Sequence, residues 1–307
     1  MDLSVIIVNW NTRQLLLDCL DSVFSRIDPD FEVWLVDNGS SDGSVEAVAE
    51  SHPSVRIVRN ERNLGFAAAN NKALREMNGR YALLLNTDTV LDGNAVGILH
   101  GFLENHPDAA MACGQLLNGD GSLQRSTAAF PSLLSLLCGE PLLEFLFPSR
   151  YPGRRRQCGH PIEVDSCIGA CMMVRKAAID SVGLLDERYF FFFEETDWAL
   201  RMKRSGWKVF FVPAARIYHL QGQSVGHSIG SRIYYYKYRY AYFRKWYPVL
   251  YPLIFSVLGV RLFFNLALNA AGAVCTLGLH AKMRKKTAIY ARLVAWHLRG
   301  CPCNPWA

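Results

Sequence analysis

The feature that most constrains the fold is an alternation of short apolar runs with helix-like segments over the first ninety residues. Four apolar runs of strand length cover 3–8, 31–36, 55–58 and 81–91. The first is apolar at odd and even positions alike, which is typical of a strand buried on both faces of a parallel sheet. Strands that alternate with helices predict a βαβ series with right-handed crossovers. We therefore expect an α/β fold with a mostly parallel sheet.

Polar residues follow or end each of these four runs. Asn9 follows the first, Asp37 and Asn38 the second, the segment 60–65 the third, and Asp88 lies late in the fourth. The carboxyl ends of parallel strands lie at one edge of a sheet, where such sheets bind ligands. These side chains are therefore expected to line one site.

Asp88 offers the clearest chemistry among them. A carboxylate at a strand end is a usual oxygen ligand for Mg²⁺ or Mn²⁺. The alternative is that Asp88 caps a helix beginning near Asp92 or Asn94, since Asp is a common N-cap. No G-x-G-x-x-G follows the first strand and no G-x-x-x-x-G-K-[ST] occurs, so neither a dinucleotide fold nor a P-loop is indicated. A bound diphosphate would then need a divalent cation.

Four blocks, in this order, resemble glycosyltransferase family 2, in particular its rhamnosyltransferase-like branch: 5–11, 36–44, 63–71 and 84–89. Segments 114–124, 165–175, 183–198 and 212–222 continue the resemblance. It implies an inverting enzyme with a GT-A fold, a Rossmann-like and mostly parallel sheet with flanking helices. It also implies a nucleotide-sugar-binding half at 1–115 and an acceptor-binding half at 116–226.

The resemblance implies roles for the residues at the matching positions. The donor-binding residues are Asn9, Asp37, Asn38, Asn63, Gly65, Asn70, Asn86, Asp88 and Gly169, the acceptor-side residues Glu194 and Trp198, the metal ligands Asp88 and His219, and the catalytic residues Glu195 and Asp197. Asp37 is expected to meet the nucleobase or ribose, with a turn-forming role as the alternative. His219 is either a metal ligand or a structural hydrogen bonder. Gly65 and Gly169 alternatively serve only to permit close backbone approach.

The acids 194–197 follow four phenylalanines. An apolar wall beside two adjacent acids raises the pKa of one of them, which suits a general base. By resemblance the base is Glu195, with Asp197 as the substitute, although relatives carry Glu-Asp where this chain has Glu-Glu. The alternative is that these acids only open the following helix. Asn86 stands where many relatives carry a first Asp, so the metal is expected to be held weakly, mainly through the donor's phosphates.

The region 227–307 is basic, aromatic and hydrophobic, which suits an anionic membrane surface. Nucleic acid is not an expected partner, because no nucleic-acid-binding signature is present. The stretch 249–279 contains one charge, Arg261, and is long enough to span a bilayer. Basic groups flank it on both sides, and both flanks prefer the cytoplasm. An interfacial or re-entrant helix pair is favoured, with a single span or a buried soluble helix as alternatives.

The resemblance thus implies transfer of a sugar, with dTDP-rhamnose as the candidate donor, to a lipid-linked or cell-surface glycan at the cytoplasmic face of a bacterial inner membrane. A second hypothesis is a nucleotidyltransferase, which normally has a basic glycine-rich loop where this chain has 9–11. A third is an inactive, membrane-bound glycan-binding relative, against which the intact Asp88 and Glu195 argue. The oligomeric state stays open.

Overall fold

The computed structural model describes residues 1–28, 30–138, 140–147, 159–220, 229–276 and 279–301. The chain divides into two compact units. The first comprises 1–130 and 143–226, and the second comprises 131–142 and 227–307. The predicted nucleotide-sugar-binding half, 1–115, thus falls in the first unit, and so does the predicted acceptor-binding half, 116–226, except for residues 131–142.

The predicted alternation of strands and helices is present at the start of the first unit. Its elements are β1 (Leu3–Asn9), α1 (Arg13–Arg26), β2 (Phe31–Asp37), α2 (Ser44–Ser51), β3 (Arg56–Arg59), α3 (Phe66–Glu76) and β4 (Tyr81–Asn86). β1 pairs in parallel with β2 and with β4, and β2 pairs in parallel with β3. The expected parallel sheet is therefore confirmed for this half of the fold.

The run 81–91 was expected to be one strand, and this was wrong. β4 ends at Asn86, a turn covers 87–88, and β5 (Thr89–Asp92) pairs with a different strand at the far edge of the sheet. Both halves of the run are apolar, so hydrophobicity alone does not reveal the break. Helix α4 (Ala95–Asn105) is capped by Asn94, whose Oδ1 accepts from Gly97 N at 3.1 Å. The helix-capping alternative for Asp88 is thereby excluded.

The second half of the sheet is mixed in direction. The remaining elements of this region are β6 (Ala109–Leu117), β7 (Thr127–Ala128), α5 (Leu133–Leu137), α6 (Glu140–Leu146), β8 (Ile162–Val164), β9 (Ser166–Cys167), β10 (Cys171–Arg175), α7 (Lys176–Val182), α8 (Glu194–Arg204) and β11 (Lys208–His219). The strand order is β3-β2-β1-β4-β10-β6-β11-β5, with β8 also paired to β11. β10 is antiparallel to both β4 and β6. This strand joins the parallel half to the rest of the sheet.

Both faces of the sheet are covered, as predicted from the first strand, which is apolar at odd and even positions alike. Val5 and Ile7 of β1 belong to one core cluster, which includes apolar residues of α1 and α4. Ile6, between them, belongs to the cluster on the other face, with residues of α3 and α8. Successive side chains of a strand point to opposite faces, so each strand contributes to two cores. Helices on both faces hold the strand ends in place.

The second unit is helical beyond residue 229. In addition to α5, which lies within 131–142, it contains α9 (Ile229–Trp246), α10 (Tyr251–Cys275) and α11 (Ala281–Leu298). α10 and α11 form an antiparallel pair, because Gly259 lies against His297 while Gly272 lies against Met283. The hydroxyl of Tyr240 lies 2.8 Å from Nδ1 of His297 and links α9 to α11.

Among the described residues, α10 is the one helix long and apolar enough to cross a membrane. Only 22% of its apolar window is buried within the protein. Leu253, Val260, Phe264 and Leu268 are exposed on it. The burial expected of a soluble core helix is therefore not found.

Candidate active site at the strand ends

A buried polar network ties together the ends of three parallel strands. Asn9 donates from Nδ2 to Asp37 Oδ1 at 2.9 Å, and Asp37 Oδ2 accepts from Ser40 N at 2.9 Å. The Thr12 hydroxyl donates to Asn9 Oδ1 at 2.7 Å and lies 2.9 Å from Thr87 Oγ1, just beyond β4. The turn-forming role of Asp37 is thus present. Its carboxylate oxygens still have acceptor capacity for a ligand.

Four asparagines shape the neighbouring loop 60–66. Asn38 donates to Gly65 O at 3.3 Å and accepts from Asn60 Nδ2 at 2.9 Å. Asn63 Oδ1 accepts from Gly65 N at 2.9 Å, and Asn70 Nδ2 donates to Phe66 O at 2.9 Å. Asn70 Oδ1 is buried with no hydrogen-bond partner among the residues that the structure describes. Such an acceptor calls for a donor from a ligand or a water molecule.

Gly65 brings this loop against the phenylalanine run. Its backbone lies at φ 86° and ψ 175°, a region essentially restricted to glycine. A Cβ at this position would overlap the Phe190 carbonyl. That carbonyl accepts from Phe66 N at 2.7 Å. Glycine is therefore required at position 65 for this close backbone approach. The contact joins loop 60–66 to Phe190, which precedes the acid cluster, defined as Glu194, Glu195 and Asp197.

Asp88 and His219 form a pair at the end of β4. Asp88 is 1% exposed, and its Oδ1 lies 3.4 Å from His219 Nε2. His219 is the last residue of β11 and pairs with Thr89 of β5. The next residue, Leu220, donates its backbone N–H to Asp88 O at 2.8 Å. Three strands thus hold the carboxylate and the imidazole side by side.

The chemistry of this pair fits a divalent cation. The described residues contain no group of three or more His, Cys, Asp or Glu that could hold a metal ion. Asp88 and His219 would supply two ligands. Adjacent ligands of octahedral Mg²⁺ at about 2.1 Å lie about 3 Å apart, close to the 3.4 Å observed. Carboxylate oxygen and imidazole nitrogen both suit Mn²⁺. Other oxygens would complete the coordination shell.

The pairing of β10 with β4 brings the acid cluster to the same edge. Asn86 donates its backbone N–H to Ala170 O at 2.9 Å. The adjacent Gly169 faces Glu195, because a Cβ added to Gly169 would lie 4.0 Å from Glu195 Cγ. Residues 169–170 therefore lie between Glu195 and the end of β4.

Helix α8 begins at the acid cluster with a strained entry. Phe192 and Phe193 have φ values of 77° and 72°, which are unusual for bulky residues. Such outliers concentrate at functional sites. Glu194, Glu195 and Asp197 all lie in the first turn of α8, so the helix-opening role foreseen as an alternative is present.

The two adjacent glutamates differ in exposure and in proton affinity. Burial raises the pKa of Glu195 to about 7, while its side chain remains partly accessible. Burial and the neighbouring Glu195 charge raise the pKa of Glu194 well above its usual value. Glu194 Oε2 is buried without a hydrogen-bond partner within the described ranges. Glu195 is thus the more accessible carboxyl of the pair, with its pKa raised to about 7 by burial.

Asp197 and Trp198 face the protein interior. Asp197 is fully buried and forms an ion pair with Arg201, whose Nε lies 3.0 Å from Oδ2. Arg201 in turn donates to the carbonyls of Val182 and Leu184, both at 2.6 Å. Trp198 is fully buried and donates from Nε1 to Gly183 O at 2.8 Å. Both residues hold the chain that leads into the acid cluster.

The structure also adds residues for which the sequence predicted no individual role. Thr12 joins the strand ends, and Gln124 bonds to His219 from the hairpin that follows β6. Gln124 ends one of the blocks that resemble the family, but its partner lies 95 positions further along the chain. No local pattern reveals such a contact.

Comparison with known proteins places this site in a family. The family model for glycosyl transferase family 2 matches residues 4–183. The N-acetylglucosaminyl-diphospho-decaprenol L-rhamnosyltransferase of Mycobacterium tuberculosis is 29% identical over 240 residues, which are 73% of this chain and 78% of the relative. A low-salt glycan biosynthesis hexosyltransferase of Haloferax volcanii is 26% identical over 208 residues, 66% of this chain and 62% of the relative.

A solved structure supports the fold. A mannosyltransferase from Pyrobaculum calidifontis, in complex with GDP-Man and Mn²⁺, superposes with a TM-score of 0.59, covering 97% of this chain and 86% of its own. Its sequence identity is 18%, so the likeness concerns the architecture. The GT-A fold expected from the sequence is thereby confirmed.

Replacing Gly65 tests the junction between the loop and the acid cluster. In Gly65→Ala the new Cβ meets the Phe190 carbonyl and the backbone loses a glycine conformation, so the thermal midpoint should fall by several degrees. Gly121→Ala is the matched control, because Gly121 also has a positive φ, 78°, but open space around it. Its midpoint should fall less. Equal losses in the two variants would show that the contact with Phe190 adds nothing.

Proposed function

This chain belongs to glycosyltransferase family 2 and is a glycosyltransferase, and we propose that it moves a sugar from a nucleoside-diphosphate donor to a hydroxyl of a lipid-linked glycan with inversion. The observation that carries the proposal is the convergence of the Asp88–His219 pair and Glu195 at one edge of the sheet. The relative from Mycobacterium tuberculosis supports a lipid-linked acceptor and a rhamnosyl donor. Family membership favours this function over nucleotidyl transfer and over an inactive binding protein.

The donor nucleoside is assigned to the network around Asp37. Asn9 and Ser40 orient the Asp37 carboxylate, which can accept from a ribose hydroxyl or a base N–H. Asn70 Oδ1 offers a second buried acceptor. Preorganised acceptors lose little entropy on binding. This network therefore favours a nucleotide sugar whose nucleoside carries N–H or O–H groups in matching positions.

The diphosphate is assigned to the end of β4. Asp88 and His219 would hold Mg²⁺ or Mn²⁺ there, and the bound ion would neutralise the charge that develops on the leaving diphosphate. Asn86 supplies an amide and no second carboxylate. The two protein ligands alone should bind the ion weakly, and the donor's phosphates should strengthen its binding.

Glu195 is assigned as the general base. A base must lie within reach of the attacking hydroxyl and hold a pKa near the operating pH, and the Glu195 pKa of about 7 meets the second condition. Asp197, the substitute candidate, is already paired with Arg201 and fully buried. This contrast favours Glu195 for proton transfer and Asp197 for holding the loop.

The acceptor's lipid suggests a membrane surface as a partner, and the charge distribution supports it. Residues 198–307 contain 17 Lys and Arg and no Asp or Glu, while residues 1–197 contain all 27 acidic residues. α11 exposes a basic cluster, defined as Lys282, Arg284, Lys285 and Lys286, and α10 exposes apolar side chains. This combination is typical of a helix pair at an anionic lipid surface. We assign that surface to the cytoplasmic face of the inner membrane.

A panel of nucleotide sugars tests the transferase proposal directly. Purified protein is incubated with dTDP-rhamnose and with UDP-, GDP- and dTDP-linked hexoses, together with a polyprenyl-diphosphate-linked N-acetylglucosamine acceptor. One donor should release its nucleoside diphosphate only when the acceptor is present. EDTA should abolish this release and Mn²⁺ or Mg²⁺ should restore it. Release from none of the donors would overturn the proposal. Transfer that persists in EDTA would refute the proposed requirement for a divalent cation.

The pH dependence tests the base. Protonated Glu195 accepts no proton, so kcat/KM should rise about tenfold per pH unit below pH 7 and level off above about pH 7. Glu195→Gln should lower kcat by about 10²–10⁴-fold, abolish this pH limb and leave donor binding intact. Glu163→Gln, in an exposed ion pair with Lys203, serves as the control. Near-normal turnover in Glu195→Gln would move the role to Asp197.

Vesicle binding tests the membrane partner. The protein should co-sediment with vesicles containing phosphatidylglycerol, less with pure phosphatidylcholine, and less at high salt. Replacing all four residues of the basic cluster by Gln should weaken binding by about two to three orders of magnitude, at about 1 kcal/mol per charge. Neutralising Arg26, Arg59, Lys203 and Lys208 instead is the matched control. Equal effects of the two sets would refute a specific basic face.

A further inference from the structure

Gln124 lies directly behind the imidazole of His219. It follows the turn 118–121 at the end of β6, where Gln124 N donates to Leu116 O at 2.8 Å. Its side chain is 8% exposed. Gln124 Oε1 lies 2.9 Å from His219 Nδ1, on the side of the ring away from Asp88. The glutamine therefore contacts the ring nitrogen that does not face the carboxylate.

The orientation of the Gln124 amide is decided by its other partners. Nε2 donates to His219 O at 2.6 Å and to Asn118 Oδ1 at 2.7 Å. A backbone carbonyl can only accept. Asn118 Oδ1 is likewise the acceptor, because the amide nitrogen of Asn118 donates to Ser122 Oγ at 2.7 Å. Both amide protons of Gln124 are thus used, and Oε1 is the atom that faces the imidazole.

This arrangement selects one tautomer of His219. Oε1 can only accept, so Nδ1 must carry the proton. A neutral imidazole has one ring proton. Nε2 then carries a lone pair and no proton, and it lies 3.4 Å from Asp88 Oδ1. In this tautomer Nε2 cannot donate a hydrogen bond to the carboxylate. A lone pair beside a carboxylate oxygen suits a shared cation.

We propose that Gln124 is a positioning residue that holds His219 in the Nδ1–H tautomer and so presents Nε2 as a ligand for the divalent cation. The proposal rests on the metal site of the proposed function. In metal sites generally, the hydrogen bond made by one ring nitrogen decides which nitrogen binds the metal. Gln124 also donates to the backbone carbonyl of His219, so it holds both the ring and the strand end that carries it.

The tautomer is measured without any metal by ¹⁵N NMR of histidine-labelled protein. Ring nitrogens with and without a proton differ widely in chemical shift, and a His219→Asn variant identifies the signals of His219. The wild-type protein at pH 7.5 should show a protonated Nδ1 and an unprotonated Nε2. A protonated Nε2, alone or together with Nδ1, overturns the proposal.

Variants then separate positioning from simple hairpin stability. Gln124→Leu removes the acceptor at similar volume, so the Nδ1–H tautomer should no longer dominate. Asp120→Ala is the control, because it removes two hydrogen bonds to Ser122 within the same hairpin and none to Asn118, Gln124 or His219. It should keep the wild-type ¹⁵N pattern. Thermal midpoints of both variants show whether each is folded, and the wild-type measurement stands even if Gln124→Leu is not.

Mn²⁺ alone is the probe for the ligand role. Titrated Mn²⁺ should broaden the His219 ring signals of the wild type and of Asp120→Ala at similar concentrations. Gln124→Leu should need about 10–100-fold more, the usual cost of losing such a supporting hydrogen bond. Equal midpoints in all three proteins overturn the proposal. A wild type with the predicted tautomer but no response to Mn²⁺ instead refutes the metal site of the proposed function.

Discussion

The antiparallel pairing of β10 with β4 is the interaction on which the rest of the site depends. The hydrogen bond from Asn86 N to Ala170 O closes the parallel half of the sheet. It also places Gly169 beside Glu195. Without this pairing, the acids of α8 and the carboxylate of Asp88 would have no common edge. One inserted strand thus brings Glu195 towards the end of the sheet that carries Asp88.

Buried polar groups at that edge are satisfied by one another to a large degree. Asn9, Asp37 and Thr12 form a network across the strand ends, and Gln124 supports His219 from behind. Burying polar groups without partners is costly, so these hydrogen bonds both stabilise the fold and fix the directions of the remaining lone pairs. Asn70 Oδ1 and Glu194 Oε2 are exceptions within the described residues. They lie where ligands are proposed to bind.

The charges of the chain are divided along its sequence. The acidic residues all precede Trp198, and the basic and aromatic helices all follow it. The described helices after residue 229 expose both apolar and basic side chains. The proposed lipid-linked acceptor would account for this division, because such a substrate lies at a membrane surface.

Much of the fold could be predicted from the sequence alone. The apolar runs of strand length predicted the parallel half of the sheet. The motif blocks predicted the family and the candidate site residues. Local patterns did not show that the run 81–91 breaks at Thr87, because β4 and β5 both carry apolar residues and the break follows from their different pairing partners. Nor could they show the Asp88–His219 pair, the burial that raises the Glu195 pKa, or the support from Gln124. Those properties arise from contacts between residues distant in sequence, so only the tertiary structure decided them.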